Sequence, residues 1–81
     1  MKDFKLPEKV ALDCVGDTEI STVKLNSAAV GSDQYETCMF YDNGDSNVVA
    51  RYKTLAEAVK NHKLLVQHER AHLNVQMRIS D

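Results

Sequence analysis

The sequence has little of what makes small chains irregular or disulfide-bonded. Its 81 residues include three glycines, one proline, two cysteines and no tryptophan. So few chain breakers exclude a compositionally disordered or collagen-like chain. Two cysteines are too few for a disulfide framework, and neither Cys14 nor Cys38 follows a metal-binding spacing. We expect both to be small buried hydrophobic residues in a reducing compartment.

Long apolar runs and an excess of positive charge are also missing. No run approaches the roughly 18 residues of a transmembrane helix, and the first ten residues lack a secretory hydrophobic segment. We therefore expect a cytoplasmic protein without a membrane partner. The formal net charge is −2, which disfavours the broad phosphate-neutralising surface of a nucleic-acid-binding protein.

The length limits what the chain can enclose. Residues 1–81 are predicted to form a single domain, and a domain this short buries only about 60–65% of the surface that its unfolded chain exposes. A roomy internal catalytic pocket is therefore not expected. A homodimer would bury some of the remaining apolar surface, although the sequence does not decide this.

Alternating apolar residues and turn residues predict four strands. They cover about residues 10–14, 19–25, 35–41 and 47–53. Gly16-Asp17 supplies a tight turn between the first two strands, and Asn43-Gly44 is a strong hairpin signal between the last two. Residues 26–34 form a small, polar connection without periodicity, of the kind that often carries a binding surface.

A helix is predicted over about residues 55–74. Thr54 and Glu57 fit a capping box, and no glycine or proline follows. At helical spacing one apolar stripe forms, which should cover the sheet. The fold class is α+β, a small antiparallel sheet of three to four strands with one C-terminal helix packed on one face. The stripe contains Leu55, Val59, His62, Val66 and Leu73, with Ala58 and Leu65 along its edge.

Three ordered segments carry a pattern that spans much of the chain. They are ISTV at residues 20–23, ETCMF at 36–40 and RYKTLAEAVKNH at 51–62. This pattern resembles a family of small phage and prophage proteins of unknown function, in which an ISTV strand precedes ETMVF and RYxTxxEAxxGH. Asn61 replaces the glycine before the family's histidine, and residues 24–34 lack the Leu-Asp-His stretch and the glycine-proline cluster of many relatives. Any function of that loop therefore does not carry over.

The resemblance implies a viral accessory protein and supplies no mechanism. Together with the small core, the mildly acidic charge and the lack of a credible catalytic constellation, it predicts a protein that is not an enzyme and has no cofactor. Such a protein would bind and inhibit a host protein in the host cytoplasm, including a component of anti-phage defence such as CRISPR-Cas. The identity of the host or phage partner is open. We expect the partner surface to combine the irregular loop with the acidic hairpin tip, which would meet a basic groove on the target. Its residues would be Ser32, Asp33, Gln34, Asp42 and Asp45.

An HExxH string within the helix is an alternative functional signal. His68 and His72 lie one helical turn apart with Glu69 between them, the pattern of zinc hydrolases. However, a catalytic zinc needs a third protein ligand, and after His72 the only carboxylate side chain is Asp81. The helical phase also turns Glu69 towards the core and leaves the histidines at its flank. We therefore predict no metal, with a zinc hydrolase as the alternative.

His62 falls within the apolar stripe and is read in two ways. It is either a ligand or acid-base residue, or a buried histidine whose ring nitrogens are satisfied by a strand, by Glu36 or by Tyr52. The second interpretation is favoured. Glu36 is also expected to form a cross-strand ion pair with Arg51.

A further alternative is a nucleic-acid-binding accessory protein. It would use the cations on the outer side of the helix, which are Lys60, Lys63 and Arg70.

Overall fold

Four strands and one helix make up the part of the chain that the structure describes. A computed structural model describes residues 8–25 and 34–79, with side chains up to residue 75. The sheet is antiparallel with the strand order β1-β2-β3-β4, and α1 contacts all four strands from one face. This confirms the predicted α+β class. The elements are β1 (Glu8–Val15), β2 (Thr18–Lys24), β3 (Tyr35–Phe40), β4 (Ser46–Tyr52) and α1 (Leu55–Ile79).

The ends of two elements differ from the sequence prediction. β1 begins at residue 8 rather than 10, and α1 continues to residue 79 rather than ending near 74. The other strand ends lie within one residue of the prediction. No glycine or proline stops the helix. At about 1.5 Å per residue, its 25 residues span about 37 Å, whereas a seven-residue strand spans about 23 Å. None of the helices in the described ranges is long and apolar enough to cross a membrane.

Glycines at positive φ make both of the turns that the structure describes. Gly16 has φ 60° in the β1–β2 turn, and Gly44 has φ 94° in the β3–β4 hairpin, in agreement with the predicted turn positions. Other residues rarely adopt this backbone region. A side chain at Gly16 would also lie 3.3 Å from Leu73 of α1, so the helix passes directly over this turn.

A small core lies between the sheet and α1. Its buried hydrophobic residues are Val15, Ile20, Met39, Ala58 and Val66, with Leu65 and Leu73 packed beside it. The helix stripe is therefore centred differently from the prediction. Ala58 is fully buried rather than at the edge, and Leu55 is 50% exposed. Leu55 opens α1 shortly after the edge strand β4 ends, so it lies at the rim of the sheet.

The predicted cap at Thr54 begins the helix. The Glu57 amide donates to Thr54 Oγ1 at 3.2 Å, as expected for a capping box. The reciprocal contact differs, because Glu57 Oε1 accepts a hydrogen bond from the Thr54 hydroxyl at 3.2 Å rather than from its amide.

Candidate functional site

A chain of hydrogen bonds crosses the interface between the sheet and the helix. His62 of α1 is 2% exposed, and its Nδ1 lies 2.7 Å from Thr22 Oγ1 on β2. Its Nε2 lies 2.8 Å from Asp13 Oδ2 on β1. Thr22 Oγ1 in turn lies 2.5 Å from Thr37 Oγ1 on β3. Four elements thus each contribute one side chain, and we call Asp13, Thr22, Thr37 and His62 the polar network.

Strand register brings these side chains together. Thr22 and Thr37 are direct cross-strand partners, and Asp13 lies opposite Ile20, two residues before Thr22. Because side chains alternate between the faces of a strand, all of them point towards α1. The helix then places His62 above them.

Each buried polar side-chain atom of the polar network can have a hydrogen-bond partner within it. With a neutral ring that carries its proton on Nε2, the imidazole donates to Asp13 and accepts from the Thr22 hydroxyl, and Thr22 accepts from Thr37. With a protonated ring, the hydroxyl bonds reverse and Thr22 donates to Thr37. No buried side-chain nitrogen or oxygen among the described residues lacks a partner. This satisfaction is what burial of polar groups requires.

The sequence interpretation of His62 is confirmed in its burial and in its strand alternative, because side chains of β1 and β2 bond the two ring nitrogens. The other two named partners are wrong. Neither Glu36 nor Tyr52 bonds the ring. Glu36 pairs in register with Arg51 and points away from α1, while Tyr52 lies on the edge strand β4. Naming Thr22 and Asp13 would have required the strand register, which local sequence patterns do not supply.

Asp13, His62 and Thr22 have the connectivity of a nucleophile triad. A carboxylate binds one ring nitrogen and a hydroxyl binds the other, as in serine hydrolases. However, Thr22 is 0% exposed, so its hydroxyl has no open position for a substrate. Only the carboxylate end is open, because the Asp13 side chain is 40% exposed. It borders a recess of about 260 Å³ that is also lined by Lys63, Val66, Gln67 and Arg70.

The HExxH segment does not converge on one point. His68 and His72 are exposed, and Glu69 is half-buried, which agrees with the phase expected from the apolar stripe. Among the side chains that the structure describes, no group of three His, Cys, Asp or Glu residues is placed to hold a metal ion.

The described residues of the predicted acidic partner surface lie at two ends of the sheet. Ser32 and Asp33 lie outside the described residues. Gln34 precedes β3, whereas Asp42 and Asp45 follow its other end. A six-residue strand separates these positions by about 20 Å. Gln34 and the hairpin tip therefore do not form one continuous patch.

The hairpin tip itself is well fixed. The Tyr41 amide donates to Asp45 O at 2.9 Å, and the Gly44 amide donates to Tyr41 O at 3.1 Å. The Asp45 amide donates to Asn43 Oδ1 at 2.9 Å, and Asn43 Nδ2 donates to Asp45 Oδ2 at 3.1 Å. Asp42 and Asp45 are both exposed. The loop therefore presents two carboxylates in defined positions.

Sequence reasoning missed further residues at the end of the sheet that carries this tip. Asp17 lies in the β1–β2 turn, and Glu19 follows it on β2 opposite Phe40. Phe40 and Tyr41 are 42% and 37% exposed beside the tip. No local sequence signal indicated this end, because the β1–β2 and β3–β4 turns share it only through the strand order of the sheet. We call Asp17, Glu19, Phe40, Tyr41, Asp42 and Asp45 the acidic end.

Glu36 links an ion pair to one of the cysteines. Arg51 Nε lies 3.0 Å from Glu36 Oε2, which confirms the predicted cross-strand pair. Cys38 Sγ lies 3.4 Å from Glu36 Oε1. Burial, together with this hydrogen bond and the carboxylate charge, raises the pKa of the Cys38 thiol to about 11. The prediction of buried cysteines is wrong, because Cys14 is exposed and Cys38 half-buried on the sheet face opposite α1.

The outer side of α1 carries an open groove of about 660 Å³. Lys60 and Lys63 lie on it, and Lys63 also borders the recess that Arg70 lines. The three predicted cations therefore follow one side of the helix. The groove is lined by Leu55, Ala56, Val59, Lys60, Lys63, Leu64 and Gln67.

No protein family, curated protein or solved structure matches this chain. The resemblance to small phage proteins therefore stays a prediction.

Proposed function

We propose that this protein is a non-enzymatic interaction module of phage type that binds a host protein and inhibits it in the host cytoplasm. A component of anti-phage defence, such as a CRISPR-Cas protein, is the partner class that the sequence resemblance suggests. The observation that carries the binding role is the acidic end, where exposed aromatic side chains stand beside fixed carboxylates.

The composition of the acidic end suits a protein contact. Tyrosine and other aromatic residues supply much of the energy of protein interfaces, because they bury a large area at a low entropic cost. Asp42 and Asp45 would be attracted to a basic surface, such as the nucleic-acid-binding groove of a defence protein. Since backbone hydrogen bonds already hold the loop, little conformational entropy would be lost on binding.

The polar network supports a role without catalysis. It has the most catalysis-like connectivity among the described residues, yet its hydroxyl is sealed beneath the helix. Its groups satisfy one another, which is how buried polar residues stabilise a core.

Recovery and reconstitution of a partner would test the proposal. Tagged protein would be recovered from infected host cells, and the proteins that accompany it identified by mass spectrometry. Each candidate would then be purified separately and mixed with this protein. We expect a stable stoichiometric complex that inhibits the partner's activity. Failure of every candidate to form such a complex would contradict the proposal.

A nucleic-acid-binding role is the second candidate, because Lys60, Lys63 and Arg70 follow one side of α1. It predicts retention of labelled DNA or RNA that weakens steeply with salt. Replacing all three cations with glutamine should then abolish retention, while Lys9→Gln on β1 should not. Equal retention by the triple variant and the wild type would exclude this surface.

A further inference from the structure

No helix or strand among the described residues packs on the sheet face opposite α1, where Ser21 at the centre is 6% exposed and its neighbours Leu12 and Val48 are far more exposed. The composition of this face is unusual for a solvated one. An antiparallel sheet with one face in water normally alternates apolar residues inside with polar residues outside. Here the side chains that point away from α1 include Leu12, Val23 and Phe40, with Val48 on the edge strand. Leu12, Phe40 and Val48 are 44%, 42% and 50% exposed. We call this side of the sheet the open face.

Strand register orders the open face into rows. The central row runs across all four strands as Leu12, Ser21, Cys38 and Val48, which are successive cross-strand partners. This row contains no charged residue. It therefore forms an apolar and weakly polar band through the middle of the face.

Four charged residues lie beside this band on the open face, two of each sign, which are Lys9, Glu19, Glu36 and Arg51. Glu36 forms its ion pair with Arg51 on the same face. Neither charge of this pair needs an oppositely charged group from a partner. A surface with this pattern suits another surface of the same kind better than it suits a strongly charged protein.

Both edges of the sheet discourage edge-to-edge assembly. β1 has a register shift between Lys9 and Ala11, and β4 has one opposite Thr37 and Cys38. Such bulges interrupt the row of backbone groups that another strand would pair with. If two copies associate, the faces rather than the edges are available for contact.

The area of the open face agrees with what a small dimer needs. Four strands about 4.8 Å apart and about seven residues long, at about 3.3 Å per residue, cover roughly 440 Å². Two faces in contact would bury roughly 900 Å² if each is treated as a flat plane, and protruding side chains add to this area. The value is close to the ~1,000 Å² of a specific interface. Covering the face would also enlarge the thin core of an 81-residue chain.

We propose that two copies of this chain pack their open faces against each other, with the central rows in contact. The result is a symmetric dimer in which two sheets lie inside and two helices outside. Sheets packed in this way lie about 10 Å apart with their side chains interdigitated. This assembly goes beyond the proposed function and does not depend on it. The acidic end shares Glu19 and Phe40 with the open face, but its Tyr41, Asp42 and Asp45 lie outside the rows, and Val48 is not part of it.

The mass in solution tests the dimer directly. The full chain would be measured by light scattering and sedimentation, beside Val48→Glu on the open face and Leu64→Glu on the outer side of α1. Val48 and Leu64 are both 50% exposed, so the two variants are matched in exposure and added charge. We expect twice 9.1 kDa for the wild type and for Leu64→Glu, and 9.1 kDa for Val48→Glu.

A second measurement uses the native Cys14, which lies on the open face and is exposed in the single chain. In the dimer its alkylation should slow as protein concentration rises, whether or not Val48→Glu folds. A wild type of 9.1 kDa at all concentrations, a Val48→Glu dimer, or loss of the dimer in Leu64→Glu would each overturn the proposal. So would an alkylation rate of Cys14 that is independent of concentration.

Discussion

His62 is the side chain on which the helix and three strands converge. Its ring is hydrogen-bonded to Thr22 and Asp13, and the Thr22 hydroxyl is in turn hydrogen-bonded to the Thr37 hydroxyl. Sequence alone could place His62 on the buried side, because helical periodicity is a local property. It could not identify the partners, because they come from strands 40 and 49 residues away whose register is set by the whole sheet.

Replacing Thr22 with valine tests the contribution of the polar network to stability. Valine keeps the shape but removes the hydroxyl that both His62 and Thr37 bond, which leaves buried polar atoms without a partner. We expect the free energy of unfolding to fall by about 1–3 kcal/mol in denaturant titrations. Ser46→Ala, which removes an exposed hydroxyl on β4, should change it by less than about 0.5 kcal/mol. A Thr22→Val protein as stable as the wild type would show that the bonds contribute nothing.

Cys38 should react slowly with thiol reagents at neutral pH. Burial and the neighbouring Glu36 raise its pKa from 9.0 to about 11, and the thiolate is the reactive form. Its alkylation rate, followed by mass spectrometry of the Cys38 peptide, should therefore still be rising near pH 11 in the native protein. In the denatured chain the rate should level off nearer pH 9.

The sign of the accompanying stability effect follows from the same pKa. The folded chain retains the Cys38 proton to a higher pH than the unfolded chain does. The contribution to stability is therefore complete below about pH 9 and is lost as the pH rises towards 11. Identical native and denatured alkylation profiles would contradict both statements.

At the scale of elements, local signals were sufficient where a motif acts within a few residues. The Thr54 cap and the Asn43-Gly44 hairpin were both readable, since their hydrogen bonds join near neighbours. The C-terminal end of α1 could not be predicted from the sequence. No breaker marks it, and the sheet that the helix crosses ends before the helix does. The exposure of Leu55 escaped prediction for a related reason, because helical phase does not show where the sheet stops.

The β1–β2 turn contacts α1, because Gly16 in the turn lies directly beneath Leu73 of the helix. Gly16→Ala would place a side chain at positive φ, at a cost of about 1–2 kcal/mol, and would crowd Leu73 at 3.3 Å. Gly44→Ala would also place a side chain at positive φ, but that side chain would meet nothing within 4 Å. We expect thermal unfolding to show a loss for Gly16→Ala that exceeds its backbone cost, and a loss for Gly44→Ala that does not depend on Leu73. The excess should disappear in a Leu73→Ala background, and its persistence there would exclude the helix contact as its cause.

At the scale of the whole molecule, the described chain is flat and elongated. Its radius of gyration is 14.7 Å, whereas a compact chain of this length has about 12 Å. One sheet and one helix make only two layers, so much of the apolar surface stays outside the core. The length of the sequence already predicted that the core would be small. The sequence could not show that Asp17, Glu19 and the hairpin tip meet at one end, because that depends on the order of the strands.

The affinity of a reconstituted partner for variants of the acidic end tests the central claim most directly. The triple variant Tyr41→Ala, Asp42→Lys, Asp45→Lys would be compared with Glu8→Lys, which reverses an exposed charge near the opposite end of the sheet. Calorimetric titration should show an affinity weakened by at least about tenfold for the triple variant, equivalent to about 1.4 kcal/mol of binding free energy, and unchanged for Glu8→Lys. Equal affinity of the folded triple variant and the wild type would contradict the account.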